Sequence, residues 1–421
     1  MGTQTNWAGN IRYAAERVER PRDLEALRRL LADARATGRT VRALGSRHSF
    51  NDIADTDGVL VELSALTGEV VITGDGRAVR VPAGIRYGEL APLLHERGHA
   101  LGNLASLPHI SVGGAVATGT HGSGDRSGSL AAAVRAVTIL DADGELRMLR
   151  RGDPDFAGSV VALGALGIVT ELELDIEPAY EVAQTVHESP SWDALLAEFD
   201  RVTALGTSVS IFSRWTDADA ADQLWVKNRT DAVAPDAQLL QSLGVTSAVV
   251  ERHPLLGAPA GAATPQLGAA GPWHERLPHF RLEFTPSAGE ELQSEYLLQR
   301  SDAVAAIEAI RRLADRIAPV LLVSEIRTIA ADDLWLSPSY GTDAVGIHFT
   351  WRRDEAAVRA LLPAIESALP ATARPHWGKV FTLDAAEVRH RHPRWDDFAA
   401  LRARMDPEGR FRNGFLERLG L

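Results

Sequence analysis

The chain has 421 residues, 45% hydrophobic and 24% charged, with a formal net charge of −12 and no cysteine. That length exceeds what one core ordinarily supports and predicts two or three domains, while no apolar run approaches the roughly 20 residues of a membrane span. The acidic balance argues against a nucleic-acid surface, and without cysteine any redox chemistry must come from a cofactor, since disulfides, thiolate metal ligands and Cys-x-x-Cys motifs are all excluded.

The start, Met1-Gly2-Thr3-Gln4-Thr5-Asn6-Trp7, carries neither the basic region nor the apolar core of a secretory signal, so the expectation is a cytoplasmic protein with no membrane partner. A chain this acidic is also expected to be a monomer. Pro21 opens a helix whose Leu24, Leu27, Leu30 and Leu31 form one apolar stripe that Gly38 stops. A strand over 39–44 leads into the loop Gly45-Ser46-Arg47-His48-Ser49-Phe50. Short strands follow at 58–63 and 77–81, then a helix over 87–97, a hairpin over 134–149 turning at Asp141-Ala142-Asp143-Gly144, and an alternating strand over 168–176.

Near Pro178 the pattern restarts with a strand, a helix over 192–202 and strands at 207–215 and 223–227. The Gly-, Pro- and Ala-rich stretch 254–278 is too long for an ordinary connection and reads as a loop packed over something. A strand at 281–284, a helix over 302–317, strands at 320–329 and 344–351, and two closing helical patterns complete the chain.

Three constellations are candidates for chemistry. The first is the pair of glycine-bearing loops, 43–50 and 111–124, with His48 and His121, which offer backbone N–H groups to a pyrophosphate. A loop histidine with no ligand is the plain alternative for His48 alone. Neither loop is a Rossmann or P-loop fingerprint. The second lies on two strands: Glu325 and Arg327 share a face, as do His348 and Thr350, and burying such charges costs several kcal/mol unless they are paired. The third is His376-Trp377-Gly378-Lys379, a lysine after a glycine in an aromatic setting. A structural salt bridge and a surface lysine are the plain readings of the last two.

Gly45-Ser46-Arg47-His48-Ser49, together with Ser106-Leu107-Pro108-His109-Ile110-Ser111-Val112-Gly113-Gly114-Ala115-Val116-Ala117-Thr118-Gly119-Thr120-His121-Gly122, resembles the vanillyl-alcohol oxidase type of FAD flavoprotein. Ser324-Glu325-Ile326-Arg327-Thr328, His348-Phe349-Thr350-Trp351 and His376-Trp377-Gly378-Lys379-Val380-Phe381 resemble its alditol oxidase branch, and the similarity runs over about residues 5–415. The resemblance implies an α+β, two-domain fold: an FAD-binding domain of two subdomains over 1–178, a substrate (cap) domain on an antiparallel sheet over 179–383, and a C-terminal helical segment, 384–421, packing back on the FAD domain.

The resemblance also implies roles. Ala43, Leu44, Gly45, Ser46, Arg47, His48 and Ser49 would wrap the FAD pyrophosphate, with His48 bonded covalently to the flavin 8α carbon. Ser106, Ser111, Gly114, Ala115, Val116, Ala117, Ile168, Thr350 and His376 would complete the flavin site. Ser106, Glu325, Arg327, Thr350 and Lys379 would bind a polyol, and Lys379, Arg327, Glu325 and His348 would carry the chemistry. No metal is implied. The partners would be a polyol and O2, and the reaction would convert a terminal primary hydroxyl of an alditol such as xylitol or sorbitol to the aldose, with hydride passing to flavin N5 and O2 becoming hydrogen peroxide.

Lys379 is the better base only if burial beside Arg327 lowers its pKa; His348 is the other candidate. Ala105 beside Ser106 would leave O2 a path to the flavin. Arg47 stands where many relatives carry a smaller residue, and its charge would lie near the pyrophosphate or point to solvent. Two other readings stay open: a sugar-1,4-lactone oxidase or dehydrogenase on the same fold, and a non-catalytic flavin- or sugar-binding protein.

Overall fold

In the computed structural model, which describes residues 4–66, 68–284 and 291–421, the first helix runs Leu24–Ala36. Asp23 caps it by accepting from the Ala26 N–H, and Leu27, Leu31 and Ala34 form its buried stripe. Gly38, at φ +68°, lets the chain leave the helix. The strand Val41–Leu44 then pairs in parallel with Val59–Glu62, which pairs in parallel with Arg17–Glu19. A second, five-stranded antiparallel sheet has the order Val71–Ile72, Ala78–Pro82, Ile168–Asp175, Val134–Leu140, Leu146–Arg150. Along Ile168–Asp175 alternate residues are buried, as the sequence alternation predicts.

The largest sheet has nine strands, all antiparallel, and its centre is Ser208–Ser213, Leu321–Ile329, Ala344–Arg352 and Glu291–Gln299 in that order. Its register sets the site. Phe212 stands opposite Glu325, Glu325 opposite His348, and His348 opposite Glu295, one row across four strands. The next row brings Ser210, Arg327 and Gly346 together. Side chains on the other face, among them Leu292, Tyr296, Ile326, Ile347, Phe349 and Trp351, pack with Ile307, Ile310, Val358 and Ile365 from the helices Ala303–Arg311 and Glu355–Ala368. One face is thus core and the other is free to carry charge.

Several sequence expectations need correction. Residues 281–284 form a turn rather than a strand; the strand of this region is Glu291–Gln299, which the sequence reading did not contain. The helix expected over 192–202 is two pieces, Trp192–Ala197 and Phe199–Thr203, and that over 302–317 divides into Ala303–Arg311 and Ala314–Ile317. Four helices, not two, follow residue 352. The stretch 254–278 buries Ala263, Trp273 and Leu277 and adds Gly271–Pro272 to the edge of the large sheet. Among the described residues no helix is long and apolar enough to cross a membrane.

Residues from the chain's end (Val388, Trp395, Phe398, Phe411, Leu416) share a core with Leu27, Val41, Val79 and Leu172. Arg42 is the polar counterpart of that packing. Only 3% exposed, it donates to the carbonyl oxygens of Ile53 and Leu163 at 2.6 Å and of Gly164 and Phe411 at 2.9 Å. Three other segments therefore meet at the strand that feeds the His48 loop. Replacing Arg42 with Met should cost about 3 kcal/mol or more by leaving buried carbonyls without donors, read as a clearly lower Tm; an unchanged melting curve would contradict this role.

Candidate active site

A single cavity of about 1240 Å³ runs from the loop after Val41–Leu44 to the charged face of the large sheet. At one end it is lined by Ala43, Leu44, Gly45, Ser46, Arg47, His48 and Ser49, and by Ser111, Gly114, Ala115 and Ala117. The two loops touch as only glycines allow: a Cβ on Gly45 would lie 2.7 Å from Ser111 Oγ, and one on Gly114 2.8 Å from it. The Ser111 N–H donates to Ser46 Oγ at 3.2 Å. Ser111 Oγ itself is buried and has no hydrogen-bond partner among the described residues, so the cradle ends in a hydroxyl and backbone groups that a pyrophosphate would satisfy. On this observation the residues fit FAD.

His48 Nδ1 is 2.8 Å from the Ser46 carbonyl, which can only accept, so Nδ1 carries the proton and the opposite nitrogen keeps its lone pair. The ring stacks on Trp7 at 5.3 Å, and burial pulls its pKa down to about 4, which keeps it neutral. Arg47, at φ +65°, turns its guanidinium to Glu62 at 2.9 Å. Its charge is neutralised there and does not crowd the loop. Val116 and Ile168 are not at the wall; both lie in the core, and the cavity is lined instead by their neighbours Ala115, Ala117, Gly167 and Val169.

At the other end the cavity meets Ser106, Glu295, Glu325, Arg327, His348, Thr350, His376 and Lys379. Glu295, absent from the sequence reading, is the centre of this group. Its side chain is fully buried, with Lys379 Nζ at 2.6 Å, Arg327 Nη2 at 2.7 Å and His121 Nε2 at 3.2 Å. Burial alone would raise its pKa; Lys379, Arg327 and His121 outweigh it and hold the carboxyl well below the usual range. Gly346 makes the approach possible, because a Cβ there would stand 3.1 Å from Glu295 Oε1.

Glu325 is likewise buried and ionised: Arg327 and His279 hold its pKa down against the effect of burial. His279 Nε2 reaches Glu325 Oε1 at 2.8 Å, while Oε2 lies 3.6 Å from Arg327 Nε. Arg327 Nη1 is 3.4 Å from Ser106 Oγ. Burial lowers the pKa of Lys379, aided by Arg327 and opposed by Glu295. Burial and Lys379 push both His348 and His376 well below the ordinary histidine range, so both rings are neutral. His348 Nε2 is 3.1 Å from Gln293 Oε1, an acceptor, which leaves Nδ1 unprotonated.

The chain is 50% identical over 418 residues to alditol oxidase from Streptomyces sp., covering 99% of this chain and 98% of that one. It belongs to the alditol oxidase family. An FAD-binding domain family matches residues 15–150, and the D-arabinono-1,4-lactone oxidase family matches 290–419. L-gulono-1,4-lactone dehydrogenase from Mycobacterium tuberculosis is a more distant relative, 28% identical over 99% of this chain and 98% of its own. Cholesterol oxidase from B. sterolicum shares the fold, with a TM-score of 0.78 at 15% identity over 99% of this chain and 96% of that chain. The chain is therefore an FAD-dependent oxidoreductase of the vanillyl-alcohol oxidase type, with the α+β fold expected of it.

Besides Glu295, the sequence reading passed over Gln293, His279 and Lys227, and gave His121 no role at this end. Lys227 did carry a signal: a lysine directly after Leu224-Trp225-Val226 is a charge on an apolar strand, the anomaly that marked Glu325.

The buried neutral histidines make stability depend on pH. Groups whose folded pKa is depressed favour the folded state above their unfolded value, 6.5, and that contribution is lost as pH falls toward about 4, the folded value for His48 and His279. Tm should therefore drop steadily between pH 6.5 and pH 4, and less so in His279→Gln. A Tm flat across that window would refute the assignment.

Proposed function

We propose that this oxidoreductase converts the terminal primary hydroxyl of alditols such as xylitol and sorbitol to the aldose, with O2 as electron acceptor and FAD linked covalently through His48. The observation that supports the substrate class is the buried set Glu295, Glu325, Arg327 and Lys379 facing the cavity that holds the cofactor loops. A polyol offers only hydroxyls, and charged donors and acceptors give them the strongest hydrogen bonds available. A site built this way also rejects ligands that leave its groups unpaired.

FAD, when bound, would supply a two-electron acceptor for the hydride of the carbinol carbon, with O2 as the final acceptor and hydrogen peroxide as its product. The protein holds the hydroxyl and manages its proton. Lys379, kept protonated by the Glu295 carboxylate 2.6 Å away, and Arg327 donate to the reacting oxygen and stabilise the charge that develops as its proton leaves. Glu325 Oε2 accepts from a neighbouring hydroxyl and orients the chain. His348, a neutral ring lining the cavity with Nδ1 unprotonated, takes the proton. Ser106 and Thr350 add neutral hydroxyl contacts, and the C–O bond becomes the carbonyl as the C–H bond breaks.

A neutral His48 with a free ring nitrogen, fixed by Ser46 and Trp7, suits a nucleophile toward the flavin 8α position. The similarity of 290–419 to a lactone oxidase favours a second reading, oxidation of a sugar 1,4-lactone. Adding xylitol or L-gulono-1,4-lactone without oxygen separates them: xylitol should bleach the flavin band and the lactone should not. Lys379→Met should slow that bleaching by about 10²-fold or more. After acid precipitation the wild-type pellet should stay yellow and His48→Ala should release its flavin; colour retained by the mutant pellet would remove His48 as the link.

A further inference from the structure

Lys227 is a lysine that the chemistry above leaves unused. It stands on the strand Gln223–Arg229 behind Glu325 and is 1% exposed. Its Nζ contacts the carbonyl oxygens of Leu277 at 2.6 Å and Pro278 at 3.0 Å, and His279 Nδ1 at 3.0 Å. An ammonium has three protons and no lone pair, and the two carbonyls can only accept, so the third proton faces Nδ1. The hydrogen of His279 must then sit on Nε2, which is 2.8 Å from Glu325 Oε1. If the shared proton moved onto Nδ1, the hydrogen on Nε2 would be unaffected. The ring is held by Phe212 and Trp225, edge-on at 5.5 and 5.4 Å.

Among the described residues no hydrogen bond reaches Glu325 Oε2; its nearest charged neighbour is Arg327 Nε at 3.6 Å. One carboxylate oxygen is thus committed to the protein and the other faces the cavity. The same cation ties the stretch 254–278 to the sheet, and the His279 N–H donates to the Ser106 carbonyl at 3.1 Å, so two substrate-facing residues are set by one buried contact.

We propose that Lys227 is a positioning residue for substrate: through His279 it fixes the orientation of the Glu325 carboxylate and reserves Oε2 for a polyol hydroxyl. Burial brings Lys227 down to about 7, with Glu325 pulling it back, and His279 to about 4, so the shared proton rests on the lysine. The inference deepens the polyol reading and takes the identity of the ligand from it.

The test is a double-mutant cycle on the FAD-loaded enzyme with Lys227→Met, Glu325→Gln and the pair, following anaerobic flavin reduction by xylitol. Lys227→Met should raise the xylitol concentration for half-maximal rate about tenfold, the loss of one oriented hydrogen bond, with a much smaller change in the limiting rate. Combined with Glu325→Gln it should add little further, because both act on one contact. Effects that multiply, or a half-saturation within about twofold of wild type, would overturn the proposal. If Lys227→Met does not fold, His279→Gln, whose amide can donate to Glu325, should bind xylitol nearly as wild type while His279→Leu should not; equal losses in the two would overturn it. Failure of xylitol to reduce the wild-type flavin overturns the polyol reading itself, whereas a xylitol-active wild type with an unmoved Lys227→Met overturns Lys227 alone.

Discussion

One buried carboxylate organises the reactive end of this molecule. Glu295 has no exposed side-chain surface and is surrounded by Lys379, Arg327 and His121, which come from three separate stretches of chain. Alone, the lysine and the arginine would each resist burial, and the carboxylate would be still less tolerable. Together they balance, and the balance holds Lys379 and Arg327 at a cavity wall with their charges intact. The strand Glu291–Gln299 exists, in functional terms, to deliver this residue opposite His348.

Much of the site was legible in the sequence because alternation along a strand fixes which side chains share a face. Glu325 with Arg327 and His348 with Thr350 follow from spacing of two, and the cofactor loops follow from glycine and serine flanked by histidine. Glu295 was hidden for a physical reason: Glu291-Leu292-Gln293-Ser294-Glu295-Tyr296-Leu297-Leu298 is rich in residues that favour helix and lacks an apolar–polar alternation. Its strand is imposed by hydrogen bonding to Ala344–Arg352 on one side and Arg374–Pro375 on the other. Arg281-Leu282-Glu283-Phe284 erred in the opposite direction. It alternates, but four residues are too few to outweigh a turn in which Arg281 donates to the Ala263 carbonyl.

The cofactor end depends on long-range agreement of another kind. Gly45 and Gly114 meet across Ser111 only because the strand Val41–Leu44 is pinned by Arg42 to Ile53, Leu163 and Phe411. Sequence motifs name the loops; the packing that holds them a few ångströms apart is distributed over the whole chain and has no local signature. His48 is placed in the same way: burial keeps its ring neutral, a backbone carbonyl two residues back fixes its tautomer, and Trp7 near the chain's start stacks on it.

The buried carboxylates and cations that face the cavity at the reactive end are Glu295, Glu325, Arg327 and Lys379, two of each sign, so their charges cancel along the wall. An uncharged polyol entering such a site changes no charge balance and feels no long-range steering. Its capture is then a matter of shape and hydrogen bonding, largely indifferent to ionic strength. A sugar acid of the same length would bring a carboxylate to a wall whose cations already have partners, and would lose its hydration without gaining a counter-ion.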